Sequence, residues 1–145
     1  MPTTPPKPTA SPAGQRRPHH DLGLQALYDL HQHLYRDYAD LLLAPTDADL
    51  ALRATQDYLT SEWTHAVGTA NPRAFAWQAL RHRVCLLAGP GPLRPLAHLT
   101  PRQQDIVLLH HALALPAEEV ANLTGTETAA VYAEILAIAH SHHGA

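Results

Sequence analysis

The chain has 145 residues, of which 46% are hydrophobic and 16% charged, with a net charge of −3 at pH 7. This length allows one modest core or two small ones and excludes a large multidomain enzyme. The single cysteine, Cys85, excludes a disulfide framework or a multi-cysteine metal site and indicates a cytoplasmic location. No apolar run approaches the roughly 20 residues that span a bilayer, so no membrane partner is expected. Abundant alanine and leucine with sparse β-branched residues predict an all-α fold.

Proline and glycine divide the chain into segments. Residues 1–20 hold six prolines and few apolar side chains, which predicts a disordered tail. A second proline- and glycine-rich stretch predicts a linker at 89–98. The sequence therefore predicts two small helical domains, at 21–88 and 99–145.

The first domain is predicted to contain three helices. Apolar residues from 22 to 43, with Leu30 among those facing inward, follow a 3.6-residue period. Thr46, with an acid three residues later, is the predicted cap of the second helix. Asn71 followed by Pro72 predicts the start of a third helix that ends near Ala88.

The second domain begins with a strong capping signal. Thr100, Pro101 and Gln103 combine an N-cap, a proline at the first helical position and a capping-box partner. A short helix, a turn at Gly125 and a longer helix follow, and the inward face of the longer helix begins at Val131. This order is typical of a helix-turn-helix, although any three-helix bundle needs similar turns between its helices.

Four segments, in this order, resemble the extracytoplasmic-function group of bacterial sigma factors. ALYDLHQHLYRDYADLLL at 26–43 resembles the opening helix of that group, and ALRATQDYLTSEW at 51–63 resembles its polymerase-binding helix. NPRAFAWQALRHRV at 71–84 is similar to the third helix, and 99–139 is similar to the promoter-reading helix-turn-helix. The resemblance implies two helical domains, binding to the core of RNA polymerase, and a role in bacterial transcription.

The resemblance also implies three groups of site residues. The predicted polymerase-binding residues are Leu52, Arg53, Gln56, Asp57 and Trp63, with Leu52 and Arg53 standing where the family has paired acids. The predicted contacts to a melted promoter strand are Arg73, Trp77, Arg81 and Arg83; the alternative is that one face of this helix is core and the arginines are solvated. The predicted recognition-helix face is Thr128, Tyr132, Ala133, Glu134 and Ala137.

That recognition helix lacks the cations that normally contact DNA. No Lys or Arg follows Arg102 in the chain. Because phosphate contacts are made largely by those side chains, promoter DNA binding is expected to be weak or absent. The alanine-rich outer side favours a protein contact instead.

Other chemistry is not predicted. The twelve histidines form no recognisable metal motif, no nucleophile-elbow or phosphate-loop motif occurs, and neither a metal, a cofactor nor an enzyme activity is expected. Three functions stay open. The first is a divergent sigma factor that binds RNA polymerase core. The second is a sigma mimic that binds an anti-sigma factor or another regulator without DNA, and the third is a helical scaffold or homo-oligomer.

Overall fold

The structure, a computed structural model, describes the backbone of residues 10–144 and the side chains of residues 22–140. Its helices are α1 (Ala10–Leu42), α2 (Pro45–Val67), α3 (Pro72–Ala88), α4 (Pro101–Ile106), α5 (Ala117–Thr124) and α6 (Thr128–Gly144). A 3₁₀ turn at Arg94–Leu96 lies before α4, and a π-helical segment at Val107–Ala112 continues α4. The described residues contain no strand, and the predicted all-α class is confirmed.

Local hydrogen bonds explain where two helices begin. Asn71 Oδ1 accepts from the backbone N–H of Ala74 at 3.1 Å, and Pro72 occupies the first position of α3. The Thr100 hydroxyl accepts from the backbone N–H of Gln103 at 3.1 Å, and the Gln103 side chain accepts from the Thr100 N–H. Both predicted caps are confirmed.

The start of α2 differs from the prediction. Ala44 is the N-cap, Pro45 is the first helical residue, and no side chain caps the helix, so the prediction of Thr46 as the cap is wrong. Pro45 begins the helix because its fixed φ suits the first position, where a missing N–H has no intrahelical partner. Asp47 in the first turn interacts favourably with the helix dipole.

The beginning of α1 also differs from the prediction. Residues 10–20, predicted to be disordered, continue α1 as helical backbone. Extending an existing helix avoids the cost of nucleation, and Pro12 falls in the first turn, where proline is tolerated. Pro18 lies in the interior of α1, where it removes one backbone hydrogen bond of the helix. Residues 1–9 of the predicted tail lie outside the described residues.

One residue of the predicted buried side of α1 faces outward. Leu30 is 71% exposed, whereas the next residue, His31, is 4% exposed and Tyr35 is 1% exposed. The His31 ring stacks on Tyr35, and the Tyr35 ring lies 6.1 Å from the Trp77 ring of α3. The prediction of Leu30 as inward is wrong.

One hydrophobic cluster runs through both halves of the molecule, which we call the first half (α1–α3) and the second half (α4–α6). The largest fully buried side chains in this cluster come from both halves: Trp77, Tyr35, Tyr38, Leu59, Leu80, Leu109 and Leu123. Helix α5 packs on α3 and on α6. The division into two domains stays a prediction, and the two halves are in contact.

Candidate functional site

A buried carboxylate joins the two halves. Asp105 on α4 is 5% exposed and accepts hydrogen bonds from side chains of α1 and α3. The Trp77 indole N–H donates to it at 2.9 Å and the Tyr38 hydroxyl at 3.1 Å. Arg81 Nε lies 2.9 and 3.0 Å from its two oxygens. We call these four residues the Asp105 cluster.

The electrostatics of the Asp105 cluster are those of a buried ion pair. Burial raises the pKa of the Asp105 carboxyl, while the Arg81 guanidinium and the hydrogen bonds oppose that shift. Burial acts to lower the pKa of Arg81, but the attraction of Asp105, Tyr38 and Cys85 and the hydrogen bond to Asp105 together outweigh it, so the pKa is raised and the guanidinium stays charged. Arg81 also donates to Gln104 Oε1 at 3.1 Å. Both carboxylate oxygens of Asp105, on α4, accept hydrogen bonds from side chains of α1 and α3, so the cluster links the two halves.

The turn between α5 and α6 makes a second contact between the halves. Gly125 has a φ of +72°, and a Cβ at this position would lie 2.4 Å from the backbone nitrogen of Ala74. The Asn71 side-chain amide donates to the Gly125 carbonyl. Arg73 Nη1 donates to Asn122 Oδ1 at 2.9 Å. Glycine is required here by both its backbone conformation and the close approach of α3.

The predicted promoter-strand residues do not form one surface. Trp77 is 1% exposed, and Arg81 is half-buried against Asp105, so a DNA contact by these two would require the halves to rearrange, and it stays a prediction. Arg73 is exposed, although it is bound to Asn122. Arg83 lies over the Tyr58 ring at 4.1 Å. A role for Arg73 and Arg83 in DNA binding stays a prediction.

The predicted polymerase-binding residues separate into two groups. Arg53, Gln56 and Asp57 are exposed on α2, and Leu52 is half-buried beside them. Trp63 is 6% exposed and belongs to the core, so its predicted contact role is wrong. It packs beneath α1, where a Cβ on Gly23 would lie 3.2 Å from the indole nitrogen. The remaining residues present a polar strip on α2.

Helix α6 has apolar residues on both its inner and its outer side. Val131 is buried, and Ile135 and Ile138 are half-buried against the core. On the opposite side Tyr132 is 51% exposed and Leu136 is 64% exposed. We call the following exposed residues the outer face of α6: Ala129, Tyr132, Ala133, Leu136, Ala137 and His140. Among the other residues predicted for this face, Thr128 and Glu134 are half-buried at its edges.

The chemistry of the outer face suits a protein better than DNA. A surface helix normally turns charged or polar residues to water, but this face contains one histidine and otherwise apolar side chains. Helix α6 contains no Lys or Arg, and Glu134 adds negative charge at the edge. Such a face provides no guanidinium for a base edge or a phosphate.

Three functional positions were missed at the level of the sequence. Asp105 lies four residues before the buried Leu109, and this spacing on one helix side was the available signal of a buried acid. Tyr38 fits the apolar period of α1, and that period carries no signal of its hydrogen bond to Asp105. Leu136 lies five residues after Val131, outside the inward period, which was the signal that it faces outward.

Neither a metal centre nor a membrane segment is seen in the described part of the chain. Between residues 22 and 140, no group of three His, Cys, Asp or Glu side chains could hold a metal ion. None of the described helices is long and apolar enough to cross a bilayer.

The chain was compared with known proteins at three levels. No protein-family model matches it, and no curated protein and no solved structure matches it either. The resemblance to the sigma-factor group therefore stays a prediction from the residues themselves.

Proposed function

We propose that this chain is a sigma-factor-like protein of bacterial transcription that acts through protein contacts and has lost promoter recognition. The single observation that carries this function is the outer face of α6. That helix stands where the resembling family reads DNA, yet it exposes Tyr132 and Leu136 and contains no cation. Apolar exposed residues of this kind are typical of a protein interface.

The Asp105 cluster supports the same function. Trp77 and Arg81 are two of the four residues expected to hold a melted DNA strand, and both are engaged with Asp105. Their use on DNA would require breaking a buried ion pair, which costs about 3–5 kcal/mol when one partner is left unpaired. Protein binding through exposed surfaces carries no such cost.

Two partners fit the remaining surfaces. The polar strip of α2, with Arg53, Gln56 and Asp57, corresponds to the polymerase-binding helix of the resembling family and favours the core of RNA polymerase. Arg53 has a positive charge where the resembling family has an acid, and this difference favours an anti-sigma factor or another regulator instead. A homo-oligomeric scaffold is the function left if neither partner binds.

The proposed function is tested by two binding measurements on the full chain at about 150 mM salt. Fluorescence anisotropy with labelled promoter duplexes should show no sequence-dependent binding below the micromolar range, which is where ordinary non-specific binding begins. Core polymerase binding should be measured by competition with a sigma factor, using Arg53→Asp as the variant. Arg94→Asp, on an exposed residue of the segment before α4, is the matched control.

The outcomes separate the functions. Binding to polymerase that changes with Arg53→Asp but not with Arg94→Asp, in the absence of DNA binding, supports the proposal. Submicromolar, sequence-dependent DNA binding contradicts it. A chain that binds neither ligand and sediments as an oligomer is a scaffold.

A further inference from the structure

The outer face of α6 has the residue spacing of a helix-packing surface. Its apolar positions are 129, 132, 133, 136 and 137, which follow the i, i+3, i+4, i+7, i+8 pattern of one helix side. The 17 residues of α6 give a rod of about 25 Å at 1.5 Å per residue. The inner side already packs on the core, so the outer face is a second packing side on the same helix.

The side chains of this face allow a close approach along a row. Ala129, Ala133 and Ala137 follow one another at intervals of four residues, and Tyr132 and Leu136 stand beside them. The distance between packed helices depends on the side chains at the contact, so alanines allow the short end of the 8–10 Å range. The two large residues would then fill the grooves of a helix lying along α6.

The charge around the face selects the partner. Glu134 is half-buried at the edge of the outer face, the exposed Glu127 directly precedes α6, and no Lys or Arg follows Arg102. A second copy would bring the same acids to the contact, and DNA would bring phosphates. A helix whose apolar side is flanked by Lys or Arg complements both the apolar row and the negative surroundings.

We propose that the outer face of α6 binds a basic amphipathic helix of a partner protein, whose apolar side packs against Tyr132, Leu136 and the row of alanines. This inference rests on the proposed function, in which the outer face of α6 is a protein interface, and it adds the chemistry of the partner. Recognition is by a helix laid along an apolar surface.

The test uses two synthetic helical peptides as probes. Both have the same leucine and alanine side, with Lys at the flanking positions in one and Glu in the other. Fluorescence anisotropy with the full chain at about 150 mM salt should give micromolar binding of the lysine peptide and at least about tenfold weaker binding of the glutamate peptide. The difference should shrink at higher salt because the charges are then screened.

Variants locate the binding on the outer face. Leu136→Glu should weaken lysine-peptide binding by about tenfold or more, since it places a charge in the apolar contact. Leu86→Glu on α3 is the matched control, because Leu86 is 68% exposed and Leu136 is 64% exposed. Ala133→Arg adds bulk and a positive charge that repels the lysine peptide, so it should also weaken binding. This variant tests the outer face independently if Leu136→Glu alters the helix. Circular dichroism checks that each variant is folded.

Each other outcome overturns the inference. These are no binding at about 100 μM, equal affinity for both peptides, or equal effects of Leu136→Glu and Leu86→Glu. Sedimentation that shows a dimer dissociated by Leu136→Glu makes a second copy the occupant. If the full chain binds polymerase without DNA and the lysine peptide does not bind, this inference fails while the proposed function stands.

Discussion

The Asp105 cluster and the outer face of α6 are opposite in character. At the cluster a carboxylate and a guanidinium lie between the two halves, where apolar side chains are the rule, and each is satisfied by the other. On α6, Tyr132 and Leu136 face water where polar side chains are the rule. The comparison teaches that Arg81, whose charge was expected to contact a ligand, instead joins the two halves through Asp105. The exposed residues that α6 leaves for a ligand are apolar.

The two regions also differ in what they contribute to stability. The Asp105 cluster is almost fully desolvated, so the loss of one member leaves the others without partners. The exposed side chains of α6 bury little area in the isolated chain and gain their apolar contacts only on binding. Mutations should therefore separate stability from binding, and the predictions below are ordered from the largest effect to the smallest.

Removing Asp105 should have the largest effect on stability. Asp105→Ala leaves Arg81, the Trp77 indole and the Tyr38 hydroxyl unpaired, and the expected loss is about 3–5 kcal/mol in the free energy of urea unfolding. The double variant Arg81→Met with Asp105→Leu should recover part of that loss, because apolar residues can replace a buried pair. A double variant that is less stable than Asp105→Ala would contradict this account of the cluster.

The turn glycine should have the next largest effect. Gly125→Ala combines a left-handed residue, which costs about 1–2 kcal/mol, with a clash against the α3 backbone, which adds about 1–3 kcal/mol. Urea unfolding should show a loss larger than the left-handed backbone alone would cause. A loss no larger than about 1–2 kcal/mol would mean that the contact between the turn and α3 is absent.

A smaller, pH-dependent effect is expected at His31. Burial, with Arg73 nearby, lowers the pKa of its imidazole below the ordinary value of 6.5. The unfolded chain then takes up a proton before the folded chain does, so this contribution to stability is present above pH 6.5 and is lost as the pH falls from there toward the folded pKa. His31→Leu should reduce the fall in melting temperature between about pH 7 and pH 5.

The control for that measurement is His33→Leu, because His33 is exposed two residues farther along α1. Its fall in melting temperature should match that of the unmodified chain. If His31→Leu and His33→Leu behave alike, the pH dependence arises elsewhere.

Substitutions on the outer face of α6 should have the smallest effect on stability. Leu136→Ala removes a side chain that is 64% exposed, so the free energy of unfolding should change by no more than about 0.5 kcal/mol. Val131→Ala, at a residue 1% exposed on the inner side, should cost more because it opens a cavity. A loss at Leu136 as large as that at Val131 would show that the outer face belongs to the core.

Features set by neighbouring residues could be predicted from the sequence. The starts of α3 and α4 depend on hydrogen bonds across three residues, at Asn71 and Thr100, and both predictions are confirmed. The inward prediction failed at Leu30 because leucine at that position fits a helical period as well as His31 does. Only the aromatic rings of other helices decide between them.

The candidate site could be predicted only in part, for a related reason. The apolar and cation-free character of α6 is a property of the local sequence, and the exposed Tyr132 and Ala133 agree with it. The Asp105 cluster depends on pairs far apart in the chain, with Tyr38 separated from Asp105 by 67 residues. No local pattern encodes which buried donors a carboxylate will meet, so Trp77 and Arg81 were predicted to face a ligand.

The most direct test of the central claim is amide and indole hydrogen exchange of the full chain by NMR. The Trp77 indole N–H is buried and donates to Asp105, so it should exchange as slowly as the most protected backbone amides of α3. That result would show that the halves stay joined and that Trp77 is withheld from ligands, so that binding must use exposed surfaces such as those of α2 and α6. Rapid exchange of this proton, with α3 amides still protected, would show that the halves separate readily and would contradict the account.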